Sequence, residues 1–201
     1  MTGSKGNARN AARESVGAEA GKRITFRVFR VAEGWCGAAR SRKGYCAFVL
    51  PMKSADQAEA HVLRDAPEGR KSSRRFRDLE GLVERYYNGW RTDFTRLSYD
   101  LSAGMAFQRK VWEIVLAVPY GQVRTYGWIG MEMGRPEAAR AIGAAVGVNP
   151  LPLLIPCHRI IAADGALGGY SGPGGVETKR HLLELERVRL FGRGNDIRVL
   201  A

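Results

Sequence analysis

Cysteine and histidine are scarce in this chain, three of each in 201 residues. No apolar run approaches the roughly 20 residues that a membrane-spanning helix needs, so no membrane partner is expected. Cys36, Cys46 and Cys157 supply no disulfide framework, and an odd count leaves at least one free thiol, which points to a reducing, intracellular compartment. That compartment is the cytoplasm, the nucleus or the nucleoid. With His61, His158 and His181 as the only imidazoles, nothing shows metal-ligand spacing, so neither a metal nor a cofactor is expected. The first residues lack the apolar core of a secretory signal. Acidic residues are outnumbered, 20 against 32 Lys and Arg, for a net charge of +12. Such an excess suits a polyanion such as nucleic acid, although a basic surface serving only solubility has the same composition.

Hydrophobic residues are plentiful at 45%, enough to build one large core or two small ones. Residues 1–23, rich in Gly, Ala and Ser with scattered Lys and Arg, read as a disordered basic tail. A transit peptide is the alternative, and Glu14 and Glu19 count against it. Residues 24–31, 35–40 and 45–50 are rich in β formers and read as strands, with Arg42-Lys43-Gly44 as hairpin chemistry. Cys36 and Cys46 lie on these strands as packing residues. Ser54 is placed to cap a helix over 55–64 that ends before Pro67. The basic cluster at 70–75 reads as a solvated loop or a phosphate contact. Phe76, Leu79, Leu82, Val83 and Tyr86 share one face of a second helix, which Asn88-Gly89 stops. Residues 94–101 look extended and complete a small α+β domain over 24–101.

Residues 102–190 read as a mainly helical domain. Phe107, Val111, Trp112, Val115 and Leu116 mark an amphipathic helix that ends before Pro119. Thr125 can cap a short helix to Met133, and a Gly-containing link leads to a second helix over 138–148, a helix-turn-helix pattern. That second helix is almost all Ala and Gly apart from Arg140. So thin a cylinder suits either tight helix packing or approach to a narrow DNA groove, with Arg140 projecting. The glycine-rich loop at 167–175 has no phosphate-cradle pattern, but it lets backbone amides approach a flat ligand. A last helix over 176–188 carries Glu184 and Glu186, either of which can orient a histidine. Residues 191–201 read as a C-terminal tail. The fold class is therefore α+β: a small N-terminal strand and helix domain, then a mainly helical domain with a helix-turn-helix.

The stretch 154–161 organises the chain. Two apolar runs flank Pro156-Cys157-His158-Arg159, which reads as buried strand, break, buried strand. Histidine and arginine beside Cys157 both favour an ionised thiol, so Cys157 reads as a nucleophile.

Six motifs, in order, carry a resemblance. They are Phe107-Gln108-x-x-Val111-Trp112, Val118-Pro119-Tyr120-Gly121, Arg135-Pro136-x-Ala138-Ala139-Arg140-Ala141-Ile142-Gly143, Asn149-Pro150, Ile155-Pro156-Cys157-His158-Arg159 and Gly169-Tyr170-Ser171-Gly172. Together they resemble the O6-alkylguanine-DNA alkyltransferases and cover most of 101–186, while the first half fits that family loosely. The resemblance implies direct, irreversible transfer of an alkyl group from O6-alkylguanine in double-stranded DNA to Cys157, with O4-alkylthymine as a second candidate lesion. It implies a relay from Glu186 through His158 and a water to Cys157, and an Asn149 that braces the active-site turn. In an extended segment adjacent side chains point to opposite faces, which accounts for the water. Tyr126 would crowd the 3′ phosphate, help to rotate the nucleotide and protonate the purine, while Arg140 fills the gap left by the extruded base. Arg135, Ala139 and Gly143 would join Tyr126 and Arg140 at the DNA, through the minor groove. Tyr170, Ser171, Ile160 and Pro152 would line the base pocket, with the carbonyls of Cys157 and Ile160 accepting from the exocyclic amine. A monomer without zinc is expected. Two other readings of the residues stay open: a DNA-binding regulator or lesion sensor, and a Cys-His-Glu hydrolase, which would need an oxyanion hole.

Overall fold

Alternation along three strands gives the first half a sheet with two apolar faces. In the computed structural model, which describes residues 24–192 and 197–199, β1 (Thr25–Val31), β2 (Gly34–Arg40) and β3 (Tyr45–Met52) form an antiparallel meander. Phe26, Ala39, Ala47 and Val49 face helix α1 (Ala55–Asp65), which brings Val62 against them. Side chains of opposite parity, among them Phe29, Val31, Cys36, Phe48 and Leu50, enter the main core with Leu79 and Val83 of α2 (Arg77–Tyr87). Ser54 caps α1 as its sequence position suggests, its hydroxyl accepting from the Gln57 amide at 3.2 Å. Part of the basic cluster is sheet rather than loop: Arg70–Lys71 form β4, parallel to β1, and Lys71 pairs with Glu59 at 2.7 Å. Residues 94–101 are not one extended run. A turn closes from the Leu97 amide to the Phe94 carbonyl (3.1 Å), and only Tyr99 bridges back, to Tyr45.

The main core continues into the second half without a gap, taking in Val111, Trp112 and Val115 of α3 (Ala106–Leu116) and Ile142 of α5 (Ala139–Gly147). The Trp112 indole N–H donates to the Ala145 carbonyl at 2.8 Å, which fixes α5 against α3. Thr125 caps α4 (Tyr126–Glu132), accepting from the Trp128 amide at 3.1 Å. Gly134 at φ +65 turns the chain out of α4, and a 3-10 turn at Pro136–Ala138 leads into α5, so the helix-turn-helix is present. A short parallel pair, β5 (Arg124–Thr125) with β6 (Ile160–Ile161), ties the start of α4 to the stretch around Cys157.

That stretch differs from the expected strand, break, strand. Only Ile160–Ile161 pair as a strand, and Cys157–Arg159 form a 3-10 turn. Local bonds replace a ladder there: the amides of Ile155, Cys157 and Arg159 donate to the carbonyls of Leu151 (2.8 Å), Ile155 (2.7 Å) and Pro156 (2.9 Å). After α6 (Gly175–Leu185), β7 (Leu190–Phe191) pairs with β8 (Arg198–Val199). Ile197 is buried with Ile161, Leu167 and Leu183, so part of the expected C-terminal tail is packed. The expected tail at 1–23 lies outside the described residues. Among those described, no helix is long and apolar enough to cross a membrane, and no group of three or more His, Cys, Asp or Glu could hold a metal ion.

Candidate active site

Cys157 occupies a turn held by its neighbours. Asn149 spans that turn from within, its side-chain amide donating to the Ile155 carbonyl (2.8 Å) and its side-chain oxygen accepting from the Leu151 amide (3.0 Å). Cys157 is 6% exposed, and burial pushes its thiol pKa up. Asn149, the charge of Lys179 and the Tyr170 hydroxyl oppose that rise without cancelling it. The Tyr170 hydroxyl faces the sulfur and has no other hydrogen-bond partner among the described residues. The expectation that His158 and Arg159 would hold the thiol ionised is therefore not met. Both point at a carboxylate instead.

That carboxylate is Glu186, the residue just after α6, 2% exposed. Its Oε1 accepts from His158 Nε2 (2.8 Å), Tyr86 Oη (2.9 Å) and Arg159 Nη2 (2.9 Å), and its Oε2 from Arg159 Nε (2.9 Å) and the Gly121 amide (3.0 Å). Burial alone would raise this carboxyl's pKa. The charge that His158 carries once protonated in acid, its hydrogen bond and the bonds from Arg159 outweigh burial and hold the carboxyl well below the usual carboxylate range. Burial pushes His158 the other way, below an ordinary imidazole, with Glu186 only partly offsetting it. A carboxylate can only accept, so the His158 proton sits on Nε2, and Nδ1 carries the lone pair. Nδ1 is buried and has no hydrogen-bond partner among the described residues. Glu184 is elsewhere, in a surface pair with Arg180 at 2.8 Å. Cys157 and His158 lie together in a 3-10 turn, so the strand alternation expected to keep them apart is absent.

One buried charge escapes a reading of the sequence. Lys179 is fully buried on α6, and its Nζ donates to the carbonyls of Ile160 and Leu167. Burial lowers its pKa to about 8, against the raising effect of Cys157. The available signal was its place three and four residues before Leu182 and Leu183, in the apolar stripe of α6.

Two cavities meet at Cys157. One, of about 360 Å3, is lined by Tyr126, Gly143, Val146, Gly147, Tyr170 and Ser171 together with Cys157 and Gly169, so the helix-turn-helix walls it. The Ser171 hydroxyl fastens the glycine-rich loop to the Gly147 carbonyl at 2.6 Å. Ala139 and Arg140 are exposed on the same helix, and Arg140 makes no ion pair among the described residues. Arg135 is exposed at the turn before it. Pro152 belongs to the second cavity, of about 390 Å3, on the side of the N-terminal sheet. Ile160 lines neither, and its carbonyl is taken by Lys179 while that of Cys157 accepts from the Ile160 amide. A third cavity, of about 500 Å3, lies behind Arg159 and Phe94 and is not lined by Cys157.

The DNA-binding domain model of 6-O-methylguanine DNA methyltransferase matches residues 106–188. A methylated-DNA–protein-cysteine methyltransferase of Mycobacterium bovis is 48% identical over 104 residues, 52% of this chain and 61% of the relative. The chain thus spans about three fifths of that relative's length. One from Mycobacterium leprae is 43% identical over 116 residues, 58% of this chain and 68% of the relative. The crystal structure of Mycobacterium tuberculosis OGT in complex with DNA has a TM-score of 0.68 at 33% identity, covering 81% of this chain and 92% of that one.

The depressed Glu186 carboxyl has a consequence for acid stability. Below the unfolded carboxylate pKa of about 4.3 the unfolded chain takes up a proton that the folded chain still refuses, so stability present above that pH is lost as pH falls. In urea unfolding the stability should therefore drop below pH ~4, and the drop should be shallower in Glu186→Gln. At neutral pH the same variant should be destabilised by about 3–5 kcal/mol, because Arg159 stays buried without its counter-charge. Equal acid slopes in the two proteins would contradict the assignment.

Proposed function

The chain belongs to the methylated-DNA–protein-cysteine methyltransferase family, and we propose that it repairs DNA by taking an alkyl group from the O6 of a damaged guanine onto Cys157. One observation carries this reading: a cavity walled by the helix-turn-helix leads to a thiol that is otherwise buried. A stacked base cannot reach such a sulfur, so the damaged nucleotide must leave the duplex and enter from the side of α5. The small side chains of Ala139 and Gly143 allow α5 to approach the minor groove closely, Tyr126 crowds the flipped nucleotide, and Arg140 fills the space it leaves. O4-alkylthymine is a second candidate lesion, and the protein acts as a monomer on duplex DNA.

The thiol rests protonated and ionises when substrate is bound. His158 Nδ1, the bare lone pair next to the turn, takes the thiol proton through one bridging water, and Glu186 stabilises the imidazolium that results. The sulfur then attacks the alkyl carbon in line with the departing oxygen. An S–C bond forms, the C–O6 bond breaks, and guanine leaves with the bonding pair as an anion. Tyr126, kept protonated by burial and by the facing Cys157, supplies the proton that neutralises it. The phenol is restored by the proton held on His158, so overall the thiol's hydrogen is exchanged for the alkyl group. The Lys179 charge facing the sulfur favours the thiolate during this step. A thioether has no leaving group that water can displace, so each molecule acts once. A hydrolase is a poorer fit, because the amide of Cys157, the natural oxyanion donor, is spent on the Ile155 carbonyl.

Incubation with duplex DNA containing O6-methylguanine should give an intact-mass gain of one methyl per protein, located on Cys157 and absent in Cys157→Ser. DNA binding with no mass gain would leave a lesion sensor, and ester turnover with no mass gain would restore the hydrolase. Arg140→Ala should slow transfer from the duplex by about tenfold or more while leaving transfer from free O6-benzylguanine nearly intact, since the free base needs no extrusion. Equal losses on both substrates would remove the Arg140 role.

A further inference from the structure

The second cavity at Cys157 is larger than a methyl group requires, and its far wall comes from the half of the chain in which the sequence shows no chemistry. It is lined by Pro152, Phe48, Leu50 and Tyr170 together with Cys157, and the exposed Arg64 and Asp65 of α1, with the half-buried His61, mark its open side. A base arriving past α5 occupies the cavity under Tyr126 and Gly143. In-line displacement requires the sulfur, the carbon and the departing oxygen to be collinear, so any further atoms on that carbon must project sideways. The room on that side is the cavity of about 390 Å3.

The mouth of this cavity has a definite chemistry. Asp65 engages only the Nε of Arg64, at 3.4 Å, and the two terminal nitrogens of that guanidinium have no partner among the described residues. Two parallel N–H groups in a plane are the fork that takes a carboxylate. His61 shares its Nδ1 with the Gln57 carbonyl at 2.9 Å, which leaves Nε2 for solvent or ligand. Resting on the alkyl-transfer reading above, under which a group as large as benzyl already passes to Cys157, we infer that Arg64 of α1 favours O6 substituents whose far end carries a carboxylate. Arg64 is then a specificity-determining residue at the outer end of the adduct. The reaction is unchanged: the carbon attached to O6 passes to Cys157 Sγ, the C–O6 bond breaks, and guanine departs and gains a proton.

Two free bases of equal size separate charge from shape: O6-(4-carboxybenzyl)guanine and O6-(4-carbamoylbenzyl)guanine. The transfer rate to Cys157, read by intact mass, should be about three- to fivefold higher for the carboxylate, the range expected of an ion pair open to solvent. The ratio should fall to near one in Arg64→Gln and below one in Arg64→Glu, and it should shrink as salt rises. Transfer from both compounds at a ratio that no Arg64 substitution changes would overturn this inference alone. If the unaltered protein takes no group from either compound or from O6-methylguanine in DNA, the parent reading fails with it.

Discussion

Glu186 sits where water cannot reach it, and a carboxylate in that position is tenable only while donors surround it. Arg159 supplies the compensating charge through two of its nitrogens, and Tyr86 and the Gly121 amide fill much of the remaining capacity. These partners come from α2, the segment after α3 and the turn that holds Cys157, so one side chain pins three parts of the chain together. The anchoring sets the chemistry of its last partner. An imidazole whose Nε2 must donate to a fixed acceptor has no choice of tautomer, and its other nitrogen is left basic inside the protein.

The remaining scaffold places Cys157 between two cavities. The helix-turn-helix walls one, because Thr125 caps α4 and the β5–β6 pair ties that cap to the strand following the active-site turn. The N-terminal sheet and α1 wall the other, because the Phe48 amide reaches across to the Pro150 carbonyl at 2.9 Å. Tyr170 lies along both, and Gly172 makes its position possible: a Cβ there would come within 2.5 Å of the Tyr170 ring. Cys157 thus lines two cavities, one walled by the helix-turn-helix and the other by the N-terminal sheet and α1.

Much of this was legible in the residues. Richness in β formers marked the strands, helical spacing marked α2 and α3, and Ser54 and Thr125 stood where caps belong. The pairing of His158 with Glu186 could be anticipated only by resemblance, since spacing alone left Glu184 equally eligible. What stayed hidden was set by tertiary contacts. Two apolar flanks around Pro156 look like strands, yet short-range turn bonds satisfy that backbone. Arg159, next to the cysteine in sequence, serves the carboxylate in space. Lys179 is a lysine in an apolar stripe, a choice that makes sense only once the carbonyls of Ile160 and Leu167 face it. Burial, invisible in a list of neighbours, reverses the expected direction of the Cys157 thiol.

The claim on which the account rests is that Glu186 fixes His158 as a neutral base with Nδ1 bare. Nitrogen-15 NMR of the ring reads that state directly. At neutral pH the account predicts a protonated Nε2 and an unprotonated Nδ1, with Glu186→Gln changing the Nε2 shift and freeing the tautomer. A proton found on Nδ1, or a ring that is already imidazolium before substrate binds, would contradict it.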